Sequence, residues 1–430
     1  MSGFVINNVK ARQVLDSRGN PTVEVEISTD KFSARASVPS GASKGKHEAL
    51  EIRDNGKEFL GKGVRKAVSN VKSVIAPKLI GLDAREQREI DSLLIDLDGT
   101  ENKSRLGANA ILACSMACAR LGAICKGVEL YEHLGEICNL TPNVMPVPVM
   151  NIINGGKHAG NNLDIQEHMI MPVRAKSFLE ALRKATEVYH MLKRKIESKY
   201  GKHAINVGDE GGYAPPMKSS EEAFEIMAEA IEEAGYGKEI ALAFDAAASE
   251  FYDGKSYTLA GKSMGSGELL DFYSDLISTF NIISAEDPFA EDDWEGFVEF
   301  TRKFGNKIQV VGDDLFVTNV RRLKEGIKRG ACNCMLLKIN QIGTVSEAID
   351  AAKLAYENGY NVMVSHRSGE TCDDFIADLS VAINCGQIKS GAPARGERVA
   401  KYNRLIRIEE RLTNSSYAQN LKRTVLGSYL

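Results

Sequence analysis

Six ionisable side chains stand at the ends of short apolar runs in the second part of the sequence. Each run is rich in Val, Ile, Leu, Met or Ala and is short enough for one buried strand. An ammonium or carboxylate buried mid-strand is costly unless it is paired, so we expect these groups at strand ends, where a site can open. The six are Asp245, Glu286, Asp313, Lys338, His366 and Lys389.

The order of these charges predicts a metal site that faces a cationic wall. Asp245, Glu286 and Asp313 come from consecutive runs, and three converging carboxylates repel one another unless a cation neutralises them. An all-carboxylate set favours Mg²⁺ over Zn²⁺. Lys338 and Lys389 follow, with a histidine and an arginine between them. This arrangement suits an anionic substrate such as a phosphorylated carboxylate.

These residue types together indicate elimination of water from a hydroxy acid. Lys338 is a candidate base, because desolvation and nearby positive charge lower the pKa of a lysine. Metal ions on a substrate carboxylate acidify the adjacent carbon. In "GDEGG", Glu210, with Glu167 beside it, could protonate a leaving hydroxyl group if its pKa is raised. Any one of these residues alone is readily explained as an ordinary polar residue of a loop or an ion pair. That explanation does not account well for the whole set at successive strand ends.

The elements that must position these groups read as β/α units. Short apolar runs alternate with helical segments over the last two thirds of the chain, which predicts a parallel sheet long enough for an eightfold closed barrel. One amphipathic helix is predicted around "FLEALRKATEVYHMLKRKI", with Phe178, Leu179 and Leu182 on its apolar side. Another is predicted from a capping box at Ser219 to a stop at Gly235.

The first part of the chain has a different rhythm. "PTVEVEIST" and "FSARASVPS" alternate with period two and predict a hairpin, and helical sequence follows through about Cys125. A proline-rich stretch then predicts a junction, so we divide the chain into an α+β domain over residues 1–134 and a barrel over residues 135–430. The small-residue loop "SVPSGASKGKHEA" of the first domain could close over a site.

The composition narrows the class of protein. The formal net charge of −4 gives no reason to expect binding to nucleic acid or to an anionic membrane. "ANAILACSMACARLGAIC" is apolar, but it contains Asn109 and Arg120 and predicts a closely packed core helix instead of a membrane span. The eight cysteines show no metal-ligand spacing, which predicts reduced thiols and a cytoplasmic location.

Nine motifs, in order and with consistent spacing from about residue 4 to residue 412, resemble those of the enolase family. They are VLDSRGNPTVEVE, VPSGAS, NGGKHAGNNLDIQE, GDEGGYAP, EDPFAEDDW, GDDLFVTN, LLKINQIGT, SHRSGET and GAPAR. The resemblance implies a small N-terminal α+β capping domain and an α/β barrel of the TIM-like, enolase type whose second strand is antiparallel. It also implies Mg²⁺-dependent, reversible dehydration of 2-phosphoglycerate to phosphoenolpyruvate in glycolysis and gluconeogenesis, with two Mg²⁺ ions per active site.

The resemblance also implies a role for each site residue. Lys338 would remove the proton at carbon 2, and Glu210, assisted by Glu167, would act on the hydroxyl group at carbon 3. The first metal would be held by Asp245, Glu286 and Asp313, and the second would be joined by Ser43. The substrate-binding residues would be His158, Gln166, His366, Arg367, Ser368 and Lys389, with Arg367 on the phosphate.

The sequence departs from the family pattern in a few places that remove no chemical group. The loop reads GASKG, with Lys44 and Lys46, and His168 and Ala285 stand where larger apolar side chains are common. The two lysines motivate an alternative, a dehydratase for a related phosphonate or phosphorylated acid with more negative charge. A second alternative is a non-catalytic binding role, although the intact residue set argues against loss of catalysis. The resemblance implies a homodimer, with octamers among bacterial relatives.

Overall fold

A three-stranded antiparallel sheet begins the chain in the computed structural model, which describes residues 3–42 and 44–430. The order is β1–β2–β3, and Val23, Val25 and Ile27 of the central strand are fully buried. Their period-two spacing puts them on one face of the sheet, as the predicted hairpin requires. The strands are β1 (Asn8–Leu15), β2 (Pro21–Ser28) and β3 (Ser33–Ser37).

Five helices of the described chain follow this sheet and complete what we call the N-terminal unit. The central one is α4, whose Ala, Gly and Cys side chains let it pack closely, and nearly all of it is buried. Among residues 3–42 and 44–430, α4 is the one helix long and apolar enough to cross a membrane, and 89% of its most apolar window lies inside the protein. The helices are α1 (Arg65–Asn70), which continues through a π-helical turn into α2 (Ala76–Leu79), then α3 (Gln87–Asp98), α4 (Ala108–Lys126) and α5 (Leu130–Cys138).

The predicted barrel is confirmed, and in the described chain eight strands close it in the order β5–β6–β7–β10–β11–β12–β13–β14. Seven of the eight run parallel, while β6 is antiparallel to both of its neighbours, as the family resemblance implies. The strands after the N-terminal unit are β4 (Val144–Met145), β5 (Val147–Asn154), β6 (Glu167–Met171), β7 (Ala241–Asp245), β8 (Tyr257–Leu259), β9 (Lys262–Met264), β10 (Ile282–Glu286), β11 (Gln309–Gly312), β12 (Cys334–Leu337), β13 (Asn361–Ser365), β14 (Gln387–Lys389) and β15 (Ser416–Tyr417).

Helices pack around the barrel, and their ends follow the capping rules that the sequence contains. Ser219 accepts a hydrogen bond from the Glu222 backbone amide before α7, while Glu222 reaches the amide of Lys218. The prediction that Leu179 lies on the apolar side of α6 is wrong. Its side chain lies beside the row of buried side chains along this helix and is 54% exposed. The helices are α6 (Phe178–Tyr200), α7 (Ser220–Glu233), α8 (Ser266–Thr279), α9 (Trp294–Phe304), α10 (Val320–Arg329), α11 (Ile339–Ile342), α12 (Val345–Glu357), α13 (Phe375–Ala382) and α14 (Gly396–Arg411).

The N-terminal unit packs against the barrel through buried polar contacts. Asp91 of α3 accepts the backbone amide of Ser346 at 2.8 Å, and Lys103 contacts Glu347 at 2.9 Å. The division between residues 134 and 135 stays a prediction, and α5 runs across that point. All eight cysteines are unpaired thiols, as expected from their spacing.

Candidate active site

The six predicted strand-end residues meet at one end of the barrel. Five of them line a single buried cavity, and Glu286 contacts Lys389 in its wall. The open space between the side chains is about 20 Å³, room for about one water molecule. The other predicted residues that line this cavity are His158, Gln166, Glu167, Glu210, Arg367 and Ser368. The structure therefore brings together every predicted site residue that it describes.

Lys389 lies among three buried carboxylates. Its Nζ is 3.0 Å from both Asp245 Oδ2 and Glu167 Oε2, and 2.8 Å from Glu286 Oε1. Burial alone would lower the pKa of Lys389, but these carboxylates raise it well above its usual value. One ammonium group faces three acids and cannot neutralise all of them as carboxylates, so burial and the Asp245 charge raise the pKa of Glu286 well above its usual range.

Lys338 pairs with Asp313 at the mouth of β12. Its Nζ contacts Asp313 Oδ2, and Gln341 donates to the other carboxylate oxygen at 2.9 Å. Burial lowers the pKa of Lys338, yet the Asp313 carboxylate raises it overall. This direction is the opposite of the lowered pKa expected from the sequence, because the Asp313 carboxylate is in direct contact with Nζ.

Glu167 and Glu210 form a second acidic group around His158. The Nδ1 atom of His158 lies 3.7 Å from Glu167 Oε1 and 3.6 Å from Glu210 Oε1. Burial and the Glu210 charge raise the pKa of Glu167 well above its usual range. Burial would also raise the pKa of Glu210, but His158 and His366 hold it well below. The raised pKa expected at Glu210 thus falls on Glu167, and the pair can share one proton.

Arg367 spans the cavity and the N-terminal unit. Its guanidinium donates to both carboxylate oxygens of Glu48, at 3.1 and 3.0 Å, and to Asn340 Oδ1 at 3.0 Å. Ser368 Oγ accepts the amide of Ala42 at 2.6 Å. The small-residue loop predicted to close over the site therefore lies against the residues that would bind a phosphate.

The two loop lysines have carboxylate partners away from the cavity. Lys44 pairs with Glu51 at 2.7 Å, and Lys46 pairs with Asp292 at 3.3 Å. They add no free positive charge at the site that would select a more anionic substrate. Ser43, which the resemblance implies at a second metal, lies outside the described residues.

The donor chemistry of the site fits a divalent cation. Asp245, Glu286 and Asp313 offer only carboxylate oxygens, which Mg²⁺ prefers. Glu286 Oε2 is buried with no hydrogen-bond partner, and the Lys389 ammonium already serves as a partial counter-charge. Among the described residues, two groups hold one possible ligand atom each within 4.8 Å of one another, and the predicted trio is not one of them: Asp287, Asp313 and Asp314, and His158, Glu167 and Glu210.

Sequence reasoning missed Asp287, Asp314 and Glu48. Asp287 and Asp314 directly follow predicted ligands, so their position in "EDP" and "GDD" was the available signal. An alternating strand would point them away from the mouth, but the chain turns there. Asp287 adopts a φ of 39° and accepts the amides of Asp313 and Asp314, each at 2.8 Å.

Comparison with known proteins gives matches along almost the whole chain. The family model "Enolase, N-terminal domain" matches residues 6–134, and "Enolase, C-terminal TIM barrel domain" matches residues 142–425. An enolase of Thermococcus gammatolerans is 62% identical over 413 residues, 95% of each chain. An enolase of Pyrococcus furiosus is 60% identical over 95% of each chain, and one of Methanocaldococcus jannaschii is 60% identical over 96% of this chain and 97% of its own.

Proposed function

The chain belongs to the enolase family, and on that premise we propose how its residues interconvert 2-phosphoglycerate and phosphoenolpyruvate. The enzyme is a carbon–oxygen lyase of the phosphopyruvate hydratase type. Its small-molecule substrate enters the cavity at the mouth of the barrel, and its chemistry depends on a metal.

The position of the acid and base groups is the observation that carries this proposal. Lys338 follows β12, and Glu167 begins β6, which is four strands away from β12 in either direction around the barrel. Because β6 is antiparallel, its first residue lies at the mouth where the parallel strands end. A base and an acid thus face each other across the cavity, on opposite sides of any substrate between them.

Lys338 Nζ accepts the proton from carbon 2 as the neutral amine, a form that a cation bound to Asp313 would favour by offsetting the carboxylate charge that raises the pKa of Lys338. The Glu210–Glu167 pair delivers a proton to the hydroxyl oxygen on carbon 3. The carbon–oxygen bond breaks, water leaves, and a double bond forms between carbons 2 and 3. Each group acts in the opposite sense when phosphoenolpyruvate is hydrated.

The remaining site residues hold the substrate and the metal. Arg367 and Ser368 bind the phosphate, and His158, Gln166, His366 and Lys389 complete the binding set. Two Mg²⁺ ions are proposed, one held by Asp245, Glu286 and Asp313 and the other joined by Ser43. When bound, they offset the negative charge that builds up on the substrate carboxylate.

We assign this enzyme to glycolysis and gluconeogenesis in the cytoplasm, as a homodimer. The cytoplasmic assignment is supported by eight thiols without a disulfide. The dimer rests on the family resemblance alone, and sedimentation of the purified protein would test it. No direct nucleic-acid binding is proposed, in keeping with the net charge of −4.

The test is conversion of 2-phosphoglycerate by purified protein, followed by the absorbance of phosphoenolpyruvate. We expect turnover with Mg²⁺ and none after chelation. Lys338→Ala should abolish turnover while Mg²⁺ binding, measured by calorimetry, persists. A metal-loaded enzyme that leaves 2-phosphoglycerate untouched but dehydrates another phosphorylated acid would overturn the substrate assignment.

A further inference from the structure

Arg398 of α14 is a fully buried arginine next to the active site. It is the largest fully buried side chain of the described residues and has no solvent exposure. Its nearest described carboxylate oxygen, Glu397 Oε1, is 3.6 Å from Nε. That oxygen lies beyond hydrogen-bond distance, and a guanidinium is costly to bury unless its donors have partners.

Within the described residues, Nη1 and Nη2 of Arg398 make all their aligned hydrogen bonds to the two loops that carry site residues, while Nε has no aligned partner. Nη1 lies 2.6 Å from His366 Nδ1 and donates to the backbone oxygen of Arg367 at 2.6 Å. Nη2 donates to the backbone oxygens of Ser368 and Asp209, at 2.6 and 3.1 Å. The side chain thus joins the loop after β13 to the loop that contains Glu210.

The contact with His366 determines which ring nitrogen carries the proton. A guanidinium has only donors and stays protonated, so His366 Nδ1 must accept. The neutral ring then carries its hydrogen on Nε2. Burial lowers the pKa of His366 to about 3, and the charge of Arg398 acts in the same direction, so the neutral ring persists at physiological pH.

The Nε2 side of the His366 ring lies next to Glu210, which belongs to the proposed acid pair. His366 Nε2 lies 3.4 Å from Glu210 Oε2, and the two atoms are not aligned as a hydrogen bond in this structure. A hydrogen on Nε2 therefore lies on the Glu210 side of the ring, where a small rotation would let it donate to the carboxylate. We propose that Arg398 is a positioning residue that fixes His366 as a neutral donor through Nε2 and thereby excludes His366 as a base. This inference deepens the proposed function, on which it rests for the role of Glu210.

Close packing removes the space in which His366 could turn to another orientation. Gly391 has a φ of 75°, and a Cβ there would lie 3.2 Å from His366 Cε1 and 3.0 Å from Arg398 Cδ. It would also lie 2.6 Å from the backbone oxygen of Glu210. The absence of a side chain at residue 391 lets the ring, the guanidinium stem and the Glu210 loop meet in one place.

The direct test is ¹⁵N NMR of the histidine rings in full-length, Mg²⁺-loaded protein, with the His366 signals assigned by loss in His366→Gln. The wild type should show a protonated Nε2 and an unprotonated Nδ1 at His366. In Arg398→Met the tautomer should change or become mixed. A protonated Nδ1 in the wild type overturns the proposal without any variant, and it does so whether or not the protein turns over 2-phosphoglycerate.

A matched control separates positioning from general loosening of the loop. Lys401, one turn further along α14, is also buried and contacts Glu370 and the backbone oxygen of Thr371 in the same loop. Within the described residues its ammonium makes no hydrogen bond to His366. Lys401→Met should lower stability and leave the His366 tautomer as in the wild type. If Lys401→Met and Arg398→Met change the tautomer alike, the specific role of Arg398 is rejected.

Kinetics give a second readout for variants that fold, as judged by circular dichroism. Arg398→Lys keeps a charge and donors, and we expect it to lower kcat by about 10-fold to 100-fold with a smaller change in KM. In a His366→Gln background the same substitution should have little further effect, because Arg398 acts through the ring. Fully additive losses in the double variant would contradict the proposal. A wild type with the expected tautomer but no turnover would reject the proposed function alone.

Discussion

At the residue scale, buried lysine side chains partly neutralise the buried carboxylates of this site. Lys389 and Lys338 are both in direct contact with residues proposed to hold the metal. Each lysine therefore supplies part of the positive charge that a divalent ion would supply more fully. Such contacts make removal of a lysine most costly when the metal is absent.

We predict that Lys389→Met destabilises the metal-free protein strongly. Loss of the ammonium leaves Asp245, Glu167 and Glu286 buried without that partner, which costs about 3–5 kcal/mol for a broken buried pair. Saturating Mg²⁺ should reduce the loss, because the ion neutralises the same acids. Urea denaturation with chelator and with Mg²⁺ measures both values.

Lys353→Met serves as the control for that experiment. Its ion pair with Glu357, at 3.9 Å, lies on the surface and should change the free energy of unfolding by less than about 1 kcal/mol. Equal destabilisation of Lys389→Met with and without Mg²⁺ would show that the lysine does not share its partners with the ion.

His168 is a departure from the family pattern with a measurable cost. The ring is fully buried beside Phe224, 5.0 Å between centroids, and neither nitrogen has an aligned hydrogen-bond partner in the described structure. Burial lowers its pKa to about 4. Between about pH 6.5 and about pH 4, His168 is therefore protonated in the unfolded chain and neutral in the folded chain.

We predict that His168→Phe stabilises the protein by about 1 kcal/mol at pH 7, since two unsatisfied nitrogens are removed. The advantage should grow as the pH falls from 6.5 towards 4, where the wild type loses the stability linked to this depressed pKa. Urea denaturation of both proteins at pH 7 and pH 5 provides the comparison. An advantage that is constant with pH would show that His168 titrates normally in the fold.

At the element scale, strand ends were predictable and the contacts across elements were not. An apolar run that stops at a charge identifies Asp245, Lys338 or Lys389 from the sequence, because parallel strands end at one face of a barrel. Glu167 begins its run, and only the resemblance implied that its strand is reversed. Arg398 lies within a helix whose sequence is rich in charges, and nothing local distinguishes it from an exposed arginine.

Helix α12 illustrates a contact between elements that local sequence does not contain. Thr344 caps its first turn locally, while Asp91 of α3 accepts the Ser346 amide and the hydroxyl of Ser115, at 2.8 and 2.6 Å. A carboxylate at a helix N-terminus is favourable, and this one also joins the N-terminal unit to the barrel. Burial raises the pKa of Asp91, so its hydrogen bonds must offset its desolvation.

We predict that Asp91→Ala lowers the free energy of unfolding by about 3 kcal/mol, because buried donors on two elements lose their acceptor. Asp91→Asn keeps one oxygen acceptor and the shape, and should lose less. Chemical denaturation, followed by fluorescence and by circular dichroism, checks the order. Equal losses for the two variants would show that the charge, and not the acceptor, holds α12.

At the scale of the whole molecule, the site is completed by a loop that lies far from the barrel in sequence. Glu48 binds Arg367 through both oxygens, and both side chains are nearly buried. A carboxylate from the N-terminal unit thus forms an ion pair with the guanidinium that is proposed to bind phosphate. Folding of the two parts and formation of the phosphate site are coupled through this pair.

We predict that Glu48→Gln lowers the free energy of unfolding by about 3 kcal/mol, because it removes one charge of a buried pair. Lys46→Met, which breaks only an exposed pair with Asp292, should stay within about 1 kcal/mol of the wild type. Inorganic phosphate should then stabilise Glu48→Gln more than the wild type, since the anion returns the missing charge to Arg367. Thermal unfolding with and without phosphate measures this difference, and equal stabilisation of both proteins would mean that phosphate does not bind beside Arg367.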